Sequence, residues 1–292
     1  MTGKASLKTK KMLGVCQLTL GNGVYINAHI IPAALTKLSS TGEKYVEAGI
    51  GAGIKKRANS WYDNELVTQA GEDILTAIDT TAIEVLRKHK LVWTGWGAEQ
   101  ELFPNDPFEN QKPIRILRID RAKGLQLFFL SLLWRSAASK RSEFKQIKIT
   151  EAILEDLRQR VLNKDPGVFG DYPIHLFQIT TRGIFHNRTP LLEKKAHPSE
   201  KLKDVYIPYV RFYFDGLIAH IHLPYSNGYD DEYLRTCLRE EDTIVFLNDF
   251  EHSRTLTDIK EMVSTVSLEE RNPPSQKNLI AVAVSSLSAQ LK

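Results

Sequence analysis

Asp215-Gly216 stands between two runs, Val205–Phe214 and Leu217–Leu223, in which apolar residues alternate. Asp-Gly accepts positive φ at both central positions of a two-residue turn, so between alternating runs it fixes an antiparallel hairpin. Val210, Phe212 and Phe214 fall on one face of it, as do Leu217, Ala219, Ile221 and Leu223. Such a hairpin is not stable alone and needs a second apolar layer. Leu125, Phe128, Phe129, Leu132 and Leu133 recur at helical spacing and predict a core helix over Arg121–Ala138. The sheet is expected to pack on that helix.

The same rules place the remaining elements of this half. Strands are expected at Ile114–Ile119, Pro173–Thr181, Thr243–Leu247 and Leu279–Val284. Thr150 is expected to cap a second helix whose face is Ile153, Leu154, Leu157 and Val161, ending before Asp165-Pro166-Gly167. On the hairpin, His220 and His222 share the face opposite the apolar one. Polar residues alternating on a strand usually mark its solvated side. Two histidines so spaced can also ligate a metal, although the sequence offers no third ligand beside them.

The N-terminal part has a different rhythm. Val24–Ile31 follows Gly21-Asn22-Gly23 and stops at Pro32, which predicts a strand delivering His29 to its end. Gly42–Gly53 is glycine-spaced and reads as a loop, closing on the basic triplet Lys55-Lys56-Arg57. Val67, Ala70, Ile74, Ile78, Ala82 and Val85 then predict a helix over Asn64–Lys88, with Asp63 or Asn64 placed to cap it. Gly71 inside that helix loses about 1 kcal/mol relative to alanine, which points to a close approach by the chain there. Trp93-Thr94-Gly95-Trp96-Gly97 breaks the pattern, and a boundary is expected between residues 1–100 and 101–292.

Gly14-Val15-Cys16-Gln17-Leu18-Thr19, Ala28-His29-Ile30-Ile31-Pro32 and Thr68-Gln69-Ala70-Gly71-Glu72 together resemble the HNH, or His-Me finger, endonuclease-like proteins of bacteria and phages. Those proteins carry two Cys-x-x-Cys pairs around a Ser-His-Ile-Ile-Pro, and the second pair is followed by Glu. Two downstream stretches match as well, Leu130–Arg135 and Leu154–Arg158. The resemblance covers roughly the first half of the chain. It implies a ββα finger in which His29 is the general base and Asn64 orients it. It further implies Glu72 and Asp79 on magnesium or manganese, with Lys55, Lys56 and Arg57 against the nucleic acid.

This chain departs from that pattern in ways that matter chemically. Cys16 holds the first cysteine position, but Thr19, Thr68 and Gly71 replace the other three, so no structural zinc is expected. Cys16 with His29 and His89 could make an improvised site, but Thr19, Thr68 and Gly71 are expected instead to pack a small finger held by the rest of the fold. Ala28 stands before His29, where many nuclease fingers have a further ligand. Two functions therefore stay open. One is an HNH-like nuclease on DNA or RNA phosphodiesters. The other is a catalytically inactive, nuclease-derived binding or assembly subunit with a protein partner in a larger bacterial complex. The resemblance sets both in phage defence. A Cys16–His29 nucleophile pair ranks behind them.

Composition sets outer bounds. At 292 residues and 42% hydrophobic content the chain is long enough for a substantial core. Its net charge of +4 permits an anionic partner without requiring one. Two cysteines, Cys16 and Cys237, exclude a disulfide framework. Lysine-rich Met1–Met12 has no apolar core, so no signal peptide is expected, and no apolar run approaches the roughly 20 residues of a membrane span. The expected fold is α+β, with a ββα finger-like segment followed by helices and an antiparallel sheet, and the expected location is the cytoplasm.

Overall fold

The computed structural model describes residues 12–36, 45–49, 53–57, 61–110, 112–183, 185–196, 206–225 and 228–260. The lysines at 4, 8, 10 and 11 and the apolar run Leu279–Val284 lie outside the described residues. The fold is α+β. It opens with a short hairpin of β1 (Leu13–Val15) and β2 (Asn22–Val24), then β3 (Ala28–His29). The expected strand over Val24–Ile31 is thus two short ones. A second hairpin follows, β4 (Tyr45–Gly49) and β5 (Gly53–Arg57), in the region expected as loop. Then come β6 (Tyr62–Asp63), paired with β3, and the helix α1 (Gln69–Lys88).

Past α1 the chain forms α2 (Pro107–Asn110), β7 (Ile114–Arg118), α3 (Ala122–Ala138) and α4 (Glu151–Asn163). Thr150 caps α4 as its sequence predicts, with its hydroxyl accepting from the Ile153 amide at 3.3 Å. The remainder is β8 (Ile174–Ile179), β9 (His186–Arg188), β10 (Leu191–Ala196), β11 (Tyr206–Phe214), β12 (Leu217–His222), α5 (Asp231–Arg235) and β13 (Asp242–Asn248). Helical residues 254–260 close the described chain. The main sheet runs β10-β11-β12-β8-β13-β7. Its neighbours are antiparallel except for β8 and β13, which run parallel. β4 pairs in parallel with β9, so the early hairpin belongs to a three-stranded sheet with a C-terminal strand.

The Asp215-Gly216 turn takes φ of 51° and 79°, the pair of positive values that its two-residue loop demands. Its register pairs Phe214 with Leu217 and Phe212 with Ala219. The apolar face of that hairpin packs on α3, as expected. Phe128 meets the Phe214 ring edge-on at 6.1 Å and Phe129 stacks on it at 6.4 Å. Every residue of α3 from Leu125 to Ser136 is buried, because α1 and α4 cover the sides of α3 that the sheet leaves open. A helix apolar around its circumference has no other stable place.

The core does not divide near residue 100. One continuous cluster of buried side chains runs from Cys16 and Leu18 through Val85 and Phe128 to Ile221 and Val245. The stretch after α1 is fastened to the main sheet at the hairpin turn. The Trp93 amide donates to the Asp215 carbonyl at 2.9 Å and its indole to the Ile179 carbonyl at 3.1 Å. A Cβ at Gly216 would meet the Trp93 ring nitrogen at 2.3 Å, so the turn needs glycine for space as well as for φ. No described helix is long and apolar enough to cross a membrane.

Candidate functional site

The positions that carry the resemblance converge. Residues 17–19 make a turn, and the Thr19 amide points back at the Cys16 sulfur, 3.4 Å away. Cys16 lies against the first turn of α1, where a Cβ on Gly71 would meet its Sγ at 2.7 Å. Thr68, directly before α1, also directs its amide to the same thiol. Burial works to raise the Cys16 thiol, but a hydrogen bond from the Thr19 side chain, with those from the Thr19, Thr68 and Leu18 backbone, outweighs it and leaves it below its ordinary value. Two chain segments thus meet at Cys16, with Thr19 on one side and Thr68 and Gly71 on the other. Gly71 is the close approach expected of it.

The packing makes a clear prediction. Gly→Ala inside a helix ordinarily gains about 1 kcal/mol. Here the new methyl meets Cys16 at 2.7 Å and the Val67 Cβ at 2.9 Å, both buried. Gly71→Ala is expected to destabilise by about 1–3 kcal/mol through overpacking, and Cys16→Ala to recover part of that loss. Thermal melts of the single and double variants check it, and a more stable Gly71→Ala would sink it.

His29 lies half-buried at the end of β3, opposite Tyr62 of β6. Its position is set by α3. Arg135, with 1% of its side chain exposed, donates to the His29 carbonyl at 3.1 Å. The same guanidinium grips Asp79 with both terminal nitrogens, Nη1 at 3.0 Å from Oδ2 and Nη2 on Oδ1, and donates to the Ser131 hydroxyl at 2.8 Å. Asp79 is therefore not the open metal ligand expected of it, because a buried bidentate ion pair already uses both of its oxygens. Glu72, in the first turn of α1, is pushed up to about 7, first by burial and further by Asp79 and Asp73, against the pull of Arg135.

The other expected site residues scatter. Asn64 lies exposed in the bend after β6 and does not cap α1, whose N-cap is Thr68. Asp63 does not cap it either. One of its oxygens takes the Glu65 amide at 2.8 Å and the other the Ser139 hydroxyl at 2.6 Å. Lys55, Lys56 and Arg57 lie on β5, in register with Glu47, Val46 and Tyr45, and not in a loop. His89 is at the far end of α1 from Cys16, about 27 Å away at the helical rise, and contacts Asp120 at 2.7 Å. It cannot share an ion with Cys16. Cys16 is itself wholly buried, which removes it as a nucleophile.

Two arginines that the sequence does not single out as functional hold the finger to the rest of the fold. Arg135 reaches the His29 carbonyl, and Arg158 of α4 reaches the Leu18 carbonyl at 2.7 Å. They come from the two downstream stretches that carry the resemblance. Their partners are backbone oxygens, which every residue has, so the sequence carries no signal for the pairing.

A second cluster lies on the other face of the main sheet, around the histidines expected to be solvated. His222 is completely buried and His220 partly so, and a third histidine, His175 of β8, joins them. Thr236 donates its hydroxyl to the Tyr233 carbonyl at 2.7 Å and so accepts from His175 Nε2 at 2.8 Å. His175 Nδ1 is then the acceptor for His222 Nε2 at 2.9 Å. This chain of bonds is satisfied with both imidazoles neutral. Cys237 sits 3.6 Å from His175 Nε2, and burial pushes its thiol up to about 12. Among the described residues no three His, Cys, Asp or Glu side chains gather as a metal site.

In comparisons with known proteins, no family model, no curated protein and no solved structure matches this chain.

Proposed function

We propose that this chain is a binding or assembly subunit built on a nuclease-type finger, working without metal-dependent cleavage. The observation that carries this reading is Arg135. Its buried guanidinium holds both oxygens of Asp79 and exerts its charge on Glu72, the two carboxylates that the resemblance expects on a divalent cation. A cation such as magnesium needs oxygen ligands carrying net negative charge. Here the guanidinium already neutralises one carboxylate, the other is buried within reach of the same guanidinium's field, and that guanidinium adds a like charge to any incoming cation. These residues do not fit the ion. The setting, a bacterial assembly acting in phage defence, rests on the resemblance.

Cleavage with His29 as general base is the second reading, favoured by the position of His29 at a strand end next to an exposed aromatic ring. The two separate in one assay. DNA and RNA, single- and double-stranded, are incubated with wild type, His29→Ala and Glu72→Gln in magnesium and in manganese. No cleavage is expected from any of them. Metal-dependent cleavage by wild type that falls about a hundred- to ten-thousand-fold in His29→Ala would establish the second reading and overturn the first.

A further inference from the structure

His29 and Tyr62 are directly opposed in an antiparallel pair, so their side chains emerge on the same face of the finger. Ala28 and Asp63, the other opposed pair, point inward and are buried. Tyr62 is 40% exposed, while Trp61 and Asp63 on either side of it are buried. The flanking Trp61 is fixed by the Phe144 ring, edge-on at 6.0 Å, and its carbonyl takes the Ile30 amide at 3.0 Å. Asp63 is held by Ser139. The ring is thus presented on a rigid frame.

The segment that holds it is basic. Arg141 donates to the Tyr62 carbonyl at 2.8 Å, and its guanidinium carbon lies 5.9 Å from the centre of the Tyr62 ring. Glu143 pairs with Arg141 at 2.7 Å and is the only acid between Ser139 and Thr150. Lys140, Lys145 and Lys148 in the same segment are exposed. A lysine-rich loop alone is usually just solvated. What distinguishes this one is its attachment to an exposed ring beside His29.

We infer that Tyr62 and the loop from Lys140 to Lys148 form a docking surface for single-stranded nucleic acid, which rests on the binding reading above and names its partner. An exposed aromatic ring among cations is the arrangement that single strands use, one base stacking on the ring while lysines follow the phosphates. Bases within a duplex are stacked on one another and cannot use the ring. Arg141 positions the ring through its carbonyl, and the three lysines supply the charge contacts.

Fluorescence anisotropy of labelled oligo-dT and oligo-rU, at low and at moderate salt, reads this directly. Wild type is expected to bind, with unlabelled duplex DNA competing poorly. Tyr62→Ala should weaken binding about ten-fold or more, while Tyr62→Phe keeps it, since the ring and not the hydroxyl stacks. Lys140→Ala and Lys145→Ala should each flatten the slope of log affinity against log salt by about 0.7. Melting temperatures near wild type confirm that the variants fold. Absence of wild-type binding to either oligonucleotide would overturn the inference and leave a protein as the partner. Equal binding by wild type and Tyr62→Ala would also overturn it. Wild-type cleavage of the oligonucleotide would instead overturn the non-catalytic reading, leaving the Tyr62 dependence as an independent result.

Discussion

Arg135→Met is expected to cost about 3–5 kcal/mol of folding stability, the loss typical of breaking a buried ion pair from one side. Methionine matches much of the aliphatic stem, so the transfer term changes little and the effect is electrostatic. Removing the guanidinium leaves Asp79, 16% exposed, without its counter-charge and beside Glu72. It also leaves the His29 carbonyl and the Ser131 hydroxyl each short of a donor. Arg135→Lys keeps the charge but not the fork, and is expected to recover only part of the loss. Urea denaturation of Arg135→Met, Asp79→Asn and the double variant measures the coupling. The double variant should be markedly less destabilised than the sum of the singles. A single-variant loss below about 1 kcal/mol would mean that the pair is as weakly stabilising as an exposed one, which would also remove the argument that Arg135 displaces a cation.

Elements whose signal is local were legible in the sequence. The expected helix over Arg121–Ala138 is observed as Ala122–Ala138, and the Asp215-Gly216 hairpin appears with its register and its partner layer. The Gly42–Gly53 stretch failed as a loop because its strands are fixed by pairing with β9, some 140 residues away, and short glycine-containing strands leave no alternation to read. The parallel β8–β13 pair was invisible for a related reason, since alternation says which face is buried and nothing about direction.

The site divides differently. The meeting of Cys16 and Thr19 with Thr68 and Gly71, some fifty residues on, was implied only by the resemblance. That Arg135 would fill the place beside Asp79 was not implied, because an arginine on an apolar helix looks the same in sequence whether it reaches water or a buried carboxylate. His175 is the clearest omission. Alternation assigned His220 and His222 to a solvated face, but α5 places Tyr233 over that face and buries His222 with its new partner. A five-residue helix that decides the burial of a sheet face offers almost no periodicity by which to foresee it.

Those buried imidazoles should dominate acid unfolding. His175 is pushed down to about 3 and His220 to about 2, and His222 lies well below its ordinary value. Burial is the leading cause in each, reinforced by Lys195 for His175, by Arg211 for His220 and by His175 for His222. The unfolded chain protonates all three near 6.5 while the folded chain refuses, so stability must fall as pH drops below that value. Glu72 and Asp215 act in the opposite sense. Burial raises both to about 7 from ordinary values of 4.5 and 3.8, so the folded chain holds protons that the unfolded chain has released. Their contribution is present at low pH and is lost as pH rises through about 7. Between about 4.5 and 6.5 three imidazoles are set against two carboxyls, and stability should rise only gently with pH. Below about 4 the carboxyls are protonated in both states and the imidazoles stand unopposed, at about 1.4 kcal/mol per pH unit for each proton. The exposed carboxylates of Asp120 and Glu155, held down to about 2 by Lys88 and by Arg158, push the same way. Urea midpoints across this range should therefore trace a shallow shoulder and then a steep fall. His222→Gln and His175→Gln should each flatten the fall and level the shoulder, where two imidazoles then face two carboxyls. An acid limb of unchanged steepness in both variants would mean that the imidazoles take up protons in the folded state, and that the neutral chain from His222 to Thr236 is not the one that holds this face together.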